Sequence, residues 1–311
     1  MKIKKYLPII GIAIFLYILL KLNISDVLKE ISNANINFLL IAIFFVFISF
    51  IIQTLKWFAI AKVQMINIPF IEAFKIDLIS NFYGFITPSR IGGVIRAEYL
   101  RKYNNNNLGK GVSNFVLDKV LDLCSLIFIT IIFSFIFKGL ISTSYIYYAL
   151  LILILLVVSL VIFRGKERSR LLLRVFYKKL LPEKMKKKAK RNFYSFYKDM
   201  PKKRYFILFF LLNLLNWIVL YISTFFVGLS IGINIPLFYF LAILPIATFV
   251  GQIPITISGL GTREATLISL FSLFSVSATK VFSMSLINLF ISGIIPGIIG
   301  SFLILKHKQN R

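Results

Sequence analysis

Apolar positions in this chain come in long blocks and do not alternate with polar ones. Phe38 to Ala61, Val112 to Phe137, Tyr145 to Phe163, Tyr205 to Ile231 and Thr279 to Leu305 approach or exceed the ~20 residues that carry a helix across about 30 Å of hydrocarbon. Tyr6 to Leu20 makes a shorter first span. None of these blocks has the two-residue period of a membrane barrel, so they predict helical spans. Two further stretches are apolar but mixed or interrupted: Phe70 to Thr87, and Phe238 to Ile253 with Pro245 inside it. The asparagine run Asn104 to Asn107 predicts a turn. The expected fold is an all-α polytopic membrane protein, residues 1–311 forming one membrane domain.

Polar residues fall at particular points of this pattern. Asn114, Asp118, Asp122 and Ser125 follow one another at spacings of four, four and three, which puts them on one helix face and predicts that this face looks into the bundle. Lys119, three residues before Asp122, stands where it could neutralise that acid near the interface. Asn213 and Asn216 lie one turn apart in the fifth span. Two interruptions carry more charge. One is Pro88-Ser89-Arg90-Ile91-Gly92-Gly93-Val94-Ile95-Arg96-Ala97-Glu98; the other runs from Pro254 through Gly259 and Gly261 to Arg263 and Glu264. A charge at bilayer depth costs at least ~2.5 kcal/mol, so an Arg-Glu pair there is expected to line an interior site. An interfacial loop is the plainer alternative.

Composition agrees with the pattern: 59% of the residues are hydrophobic, 16% aromatic, and mean hydropathy is +0.87. The formal charge of +26 would suit a nucleic-acid binder, but its distribution excludes that partner. Residues 164 to 204 hold 17 of the 37 Lys and Arg against three acids, Glu167, Glu183 and Asp199, which marks a cytoplasmic loop between spans. Within it, Leu171, Leu172, Val175, Phe176 and Leu180 recur at helical spacing among cations. That predicts either a helix lying on an anionic membrane surface or a solvated run that only fixes orientation. Cys124 and His307 are each single, so no intramolecular disulfide, no Cys/His metal cluster and no cofactor are expected.

The two interruptions resemble each other. Each has a proline, a pair of glycines and then arginine and glutamate, each follows an apolar arm, and each precedes a shorter arm and a long span. Crossings can be counted with the basic N-terminus and residues 164 to 204 inside. The first unit then enters from the cytoplasm, the second from outside, and both termini are cytoplasmic. The resulting expectation is an inverted repeat of spans, 1–137 and 145–305, with two re-entrant helical hairpins whose tips are Pro88, Gly92 and Gly93, and Pro254, Gly259 and Gly261. Irregular backbone survives at that depth where it is buried in protein or faces water, and helix starts with nearby arginines suit an anion.

Residues 88 to 98, and more closely Pro254-Ile255-Thr256-Ile257-Ser258-Gly259-Leu260-Gly261-Thr262-Arg263-Glu264-Ala265, resemble the membrane domain of lysylphosphatidylglycerol synthases and its free-standing flippase-like relatives. The resemblance implies an eight-helix-like bundle that flips a lipid. Those relatives usually carry a glutamate after the first motif's glycine, where this chain has Gly93. The soluble aminoacyl-transfer domain is not expected after the last span, so neither is lysine transfer. The expected activity is translocation of an anionic or phosphate-bearing lipid in a prokaryotic plasma membrane. Arg90, Arg96 and Arg263 would hold the phosphate, Glu98 and Glu264 would balance charge, and Asp118 and Asp122 would couple protons. Fixed ion pairs that merely hold the tips are the alternative for the arginines.

Two other classes compete with translocation. A scaffold for envelope synthesis would use the basic loop to recruit a partner, and a membrane-embedded transferase would need Asp77 or the aspartates of the third span as acids. No acidic pair accompanied by phosphate-cradling glycines occurs at one membrane face, so no catalytic residue is assigned and an enzyme is not expected. Assembly as a homo-oligomer stays open.

Overall fold

The computed structural model describes residues 7–88, 90–136, 151, 154, 158, 193–197, 199–253, 256 and 258–309. Every regular element among them is helical: α1 Leu7–Lys21, α2 Ile24–Ser32, α3 Ile36–Val63, α4 Phe70–Phe85, α5 Arg96–Leu100, α6 Leu108–Ile136, α7 Lys203–Ser230, α8 Leu237–Gly251, α9 Thr262–Phe271, α10 Ala278–Leu289 and α11 Ile295–Gln309. Most of the expected fourth span, most of the basic segment 164–204 and Pro254 lie outside the described residues.

Local chemistry explains several boundaries. Asn35 caps α3 by accepting from the Asn37 N–H at 3.0 Å, and Asn23 caps α2 in the same way through Ser25 at 3.2 Å. The expected final span is one helical path in which α10 and α11 are joined by a π-helical turn, Phe290–Ile294. Among the described residues three helical stretches are long and apolar enough to cross a membrane: Ile36–Val63, Lys203–Ser230 and Ala278–Lys306. α6 has the length but carries Lys110, Asp118, Lys119 and Asp122 in its first half. By contrast α4 and α8 have 16 and 15 residues, fewer than the ~20 that a crossing needs.

α3 and α7 are the central pair and run antiparallel. Ser223 Oγ donates to the Ala42 carbonyl at 2.9 Å, Ser49 Oγ to Asn216 Oδ1 at 2.9 Å, and Lys56 to Asn213, so contacts step in opposite directions along the two chains. Around this pair the packing is reciprocal: α6 lies along α8, and α11 lies along α4. The main apolar core joins α3, α6, α7, α8, α9 and α10 through residues such as Val46, Val227, Phe240, Phe271 and Met284. Large apolar side chains on the outer faces, including Phe44, Phe47, Leu211 and Phe302, are more than half exposed, as a hydrocarbon-facing surface requires.

Candidate functional site

The two proline-glycine interruptions become two tips that meet. At the first, α4 stops at Phe85 and Thr87 organises the turn. Its Oγ1 donates to the Tyr83 carbonyl at 2.9 Å and accepts from the Gly92 N–H at 2.8 Å. A side chain at Gly92 would collide with that same carbonyl, so only glycine lets the chain fold back this closely. A 3-10 turn, Ile91–Ile95, then leads into α5. Arg90 sits before it in the left-handed region, φ 54°, a conformation that costs a non-glycine residue roughly 1–2 kcal/mol. At the second tip Gly259 and Gly261 take φ 80° and 83°, and α9 starts immediately after. Ser258 Oγ donates to the Phe85 carbonyl at 2.7 Å, which ties the second tip to the end of α4.

Between the tips is a cavity of about 180 Å³. Arg90 and Arg96 line it from the first side and Arg263 from the second. Ser49 and Gln53 of α3 and Asn216 of α7 line it as well. Ser49 and Asn216 fall at the midpoints of their 28-residue helices, so the cavity is about 20 Å from either end of the central pair.

Each arginine is placed differently. Arg96 is buried, pairs with Asp118 through Nη2 at 2.8 Å, and lies over the rings of Trp57 and Phe115 at 4.8 and 5.4 Å. Arg263 donates to Glu264 Oε1 at 3.0 Å and to Ser285 Oγ at 2.9 Å, with 16% of its side chain still accessible. Glu264 is buried; its Oε2 accepts the Gly261 N–H at 2.6 Å and so caps α9 as well as neutralising Arg263. Arg90 has no carboxylate partner among the described residues. Glu98 stands apart from the cavity: it is half exposed and pairs with Arg101 at 2.6 Å. An exposed i,i+3 pair cannot balance an arginine inside the bundle, so the structure does not bring Glu98 together with the other site residues.

All four members of the α6 polar stripe are buried, as their spacing predicts. Their main partner is a residue that the pattern of apolar blocks hid. Lys56 of α3 is fully buried and contacts Asp118 at 2.9 Å and Asp122 at 2.6 Å, with Asn213 as its third acceptor. Lys119 also reaches Asp122, at 3.2 Å, as its sequence position suggests. A lysine at this depth is tolerated only because two carboxylates surround it. Ser49, Gln53 and Lys56, spaced by four and three, were the signal for this polar face of α3. Among the described residues no group of three or more His, Cys, Asp or Glu could hold a metal ion.

With this geometry in place, comparison with known proteins is decisive at the family level. The sequence profile of the lysylphosphatidylglycerol synthase TM region matches residues 8–300. The chain belongs to that family. Within the lysylphosphatidylglycerol synthase TM family it is 26% identical to a UPF0104 membrane protein of Pyrococcus horikoshii, over 98% of both chains. It is 24% identical to one of Methanocaldococcus jannaschii, over 98% of this chain and 96% of the relative. A third, from Methanothermobacter thermautotrophicus, shares 22% over 92% and 90%. This protein is thus a membrane protein of the lysylphosphatidylglycerol synthase TM family, and these three relatives align with it nearly end to end.

Proposed function

We propose that this protein is a lipid translocase that moves an anionic or phosphate-bearing lipid between leaflets of a prokaryotic plasma membrane, with both termini cytoplasmic. The observation that carries the reading is the mid-depth cavity into which Arg90 and Arg263 project from two different tips, Arg90 without a carboxylate of its own among the described residues. A planar guanidinium bonds phosphate bidentately and stays charged when partly desolvated. Five cations, Arg90, Arg96, Arg263, Lys56 and Lys119, stand at or behind the lining against four carboxylates, Asp77, Asp118, Asp122 and Glu264, so an anion would complete the balance.

The reciprocal packing of α6 on α8 and α11 on α4, about an antiparallel pair joined at its midpoints, supports an inverted repeat with the tips as alternating gates. In this reading Asp118 and Asp122, bridged by Lys56, are where proton movement would couple to transport. The cavity performs no covalent step. In reconstituted vesicles the protein should move a fluorescent anionic lipid between leaflets, and Arg263→Ala should abolish the movement at equal expression. Unchanged flipping in that variant would remove the site assignment. Cysteines placed at 235 and 309 should label from outside and inside respectively; external labelling at 309 would overturn the inverted topology.

A further inference from the structure

Selectivity should follow from the neutral hydrogen-bonding groups that line the same cavity as the arginines. Gln53 and Asn216 are bonded to each other, Asn216 Nδ2 to Gln53 Oε1 at 3.2 Å, which leaves the Gln53 amide N–H₂ without a partner among the described residues. Asn288 receives a hydrogen bond from Thr224 at 3.3 Å and likewise keeps its N–H₂ unused. Asn81 makes no side-chain hydrogen bond among the described residues, although it lines the cavity. Beside these amides Trp217 and Tyr221 stack, with ring centroids 5.6 Å apart, and the buried Trp217 indole N–H has no acceptor among the described residues. Amides present donor and acceptor side by side, which matches neighbouring hydroxyl groups, and aromatic faces receive C–H surfaces.

The carboxylates of the lining are, in contrast, all engaged. Asp77 accepts from Thr54 at 3.1 Å, Asp118 from Lys56 and Arg96, and Asp122 from Lys56 and Lys119. An ammonium group would have to displace a cation at Asp118 or Asp122, and at Asp77, which is held by a hydroxyl, it would face Arg90, Lys119 and Arg263 across the same cavity. The volume of about 180 Å³ holds roughly a dozen water-sized groups, enough for a phosphate and a small polyol together.

We infer that the headgroup recognised is a phosphodiester bearing a neutral, hydroxyl-rich substituent and no ammonium group: the arginines take the phosphate, and the amide wall with Trp217 takes the hydroxyls. This rests on the translocase reading and narrows its substrate class. A site whose cavity-lining amides are arranged to bond hydroxyls penalises a ligand that lacks them, because those partly buried amides then gain no partner in place of water.

The test uses the full chain in phosphatidylcholine vesicles, with soluble headgroups titrated against its tryptophan fluorescence. Glycerophosphoinositol should bind at least about tenfold more tightly than glycerol phosphate or glycerophosphoethanolamine, the worth of one or two hydrogen bonds. Equal binding of glycerol phosphate would overturn the hydroxyl wall, and equal binding of the ethanolamine form would overturn the exclusion of ammonium. Gln53→Leu should bring the inositol form down to the level of glycerol phosphate. Gln53→Glu keeps the shape and adds a free carboxylate, so it should raise the relative binding of the ethanolamine form; an unaltered ranking in both variants, with melting temperatures kept, sinks the proposal. Lipid movement measured on the same vesicles separates the two ideas. Movement without any headgroup ranking refutes the selectivity alone, whereas ranked binding without movement refutes the translocase and leaves the selectivity standing.

Discussion

At the second tip an arginine and its acid are neighbours in sequence: Arg263 meets Glu264, which also caps the helix both belong to. At the first tip the residue after Arg96 is Ala97, and the carboxylate comes from Asp118, 22 positions away on α6. Glycine-to-arginine spacing is the same in both, Gly92 to Arg96 and Gly259 to Arg263, yet one arginine is neutralised inside its motif and the other by a different span. A guanidinium inside the bundle must find counter-charge, and where the local chain has none the packing supplies it. The consequence is a division of labour at the first tip: Arg96 holds α5 to α6 and over Trp57, while the strained Arg90 is left facing the cavity.

The sharpest way to break this comparison is to remove each acid. Asp118→Asn strands the buried Arg96 and leaves Lys56 with Asp122 as its one carboxylate, and should cost about 3–5 kcal/mol. Glu264→Gln keeps an oxygen for the Gly261 N–H and leaves Arg263 partly hydrated from the cavity, so its cost should be about 1.5–3 kcal/mol. Melting in detergent reads both, and equal losses would mean that the two tips are neutralised equivalently. Next comes the pair of first-tip arginines. Arg90→Gln should slow lipid movement roughly 10- to 100-fold, the worth of a charged hydrogen bond, with little change in melting. Arg96→Gln should do the reverse and lower the melting temperature first; if Arg96 instead governed transport at unchanged stability, the assignment of roles would be inverted.

Backbone substitutions probe how each tip is shaped. Gly92→Ala forces the chain away from the Tyr83 carbonyl and should cost about 1–3 kcal/mol. Gly261→Ala places a Cβ at φ 83° and should cost roughly 1–2 kcal/mol. The smallest effect is expected at Glu98. Glu98→Gln removes only an exposed pair with Arg101 and should stay within about 0.5 kcal/mol, with transport unchanged. A large loss there would show that Glu98 does stand in for the glutamate absent at Gly93.

Much of this protein was legible without coordinates. Spans, broken arms and both tips follow from the length of apolar blocks and from where proline and glycine interrupt them, because a helix in hydrocarbon must satisfy its own backbone. The inward face of α6 was also readable, since spacings of four and three leave no other way to group Asn114, Asp118, Asp122 and Ser125. Lys56 was passed over because a single cation near the end of a long apolar run looks like an interfacial residue until its partners are known. Glu98 was overvalued for the opposite reason: its position mirrors Glu264 in sequence but not in space.

Sequence alone therefore determined an all-helical membrane protein with two polar interruptions, since those features depend on composition and on local backbone limits. Only the tertiary structure decided which first-tip arginine is spent on an ion pair and which faces the cavity without a carboxylate among the described residues. That choice depends on which carboxylate a neighbouring span brings within about 3 Å, and a distance between helices far apart in the chain is set by packing and not by spacing along it.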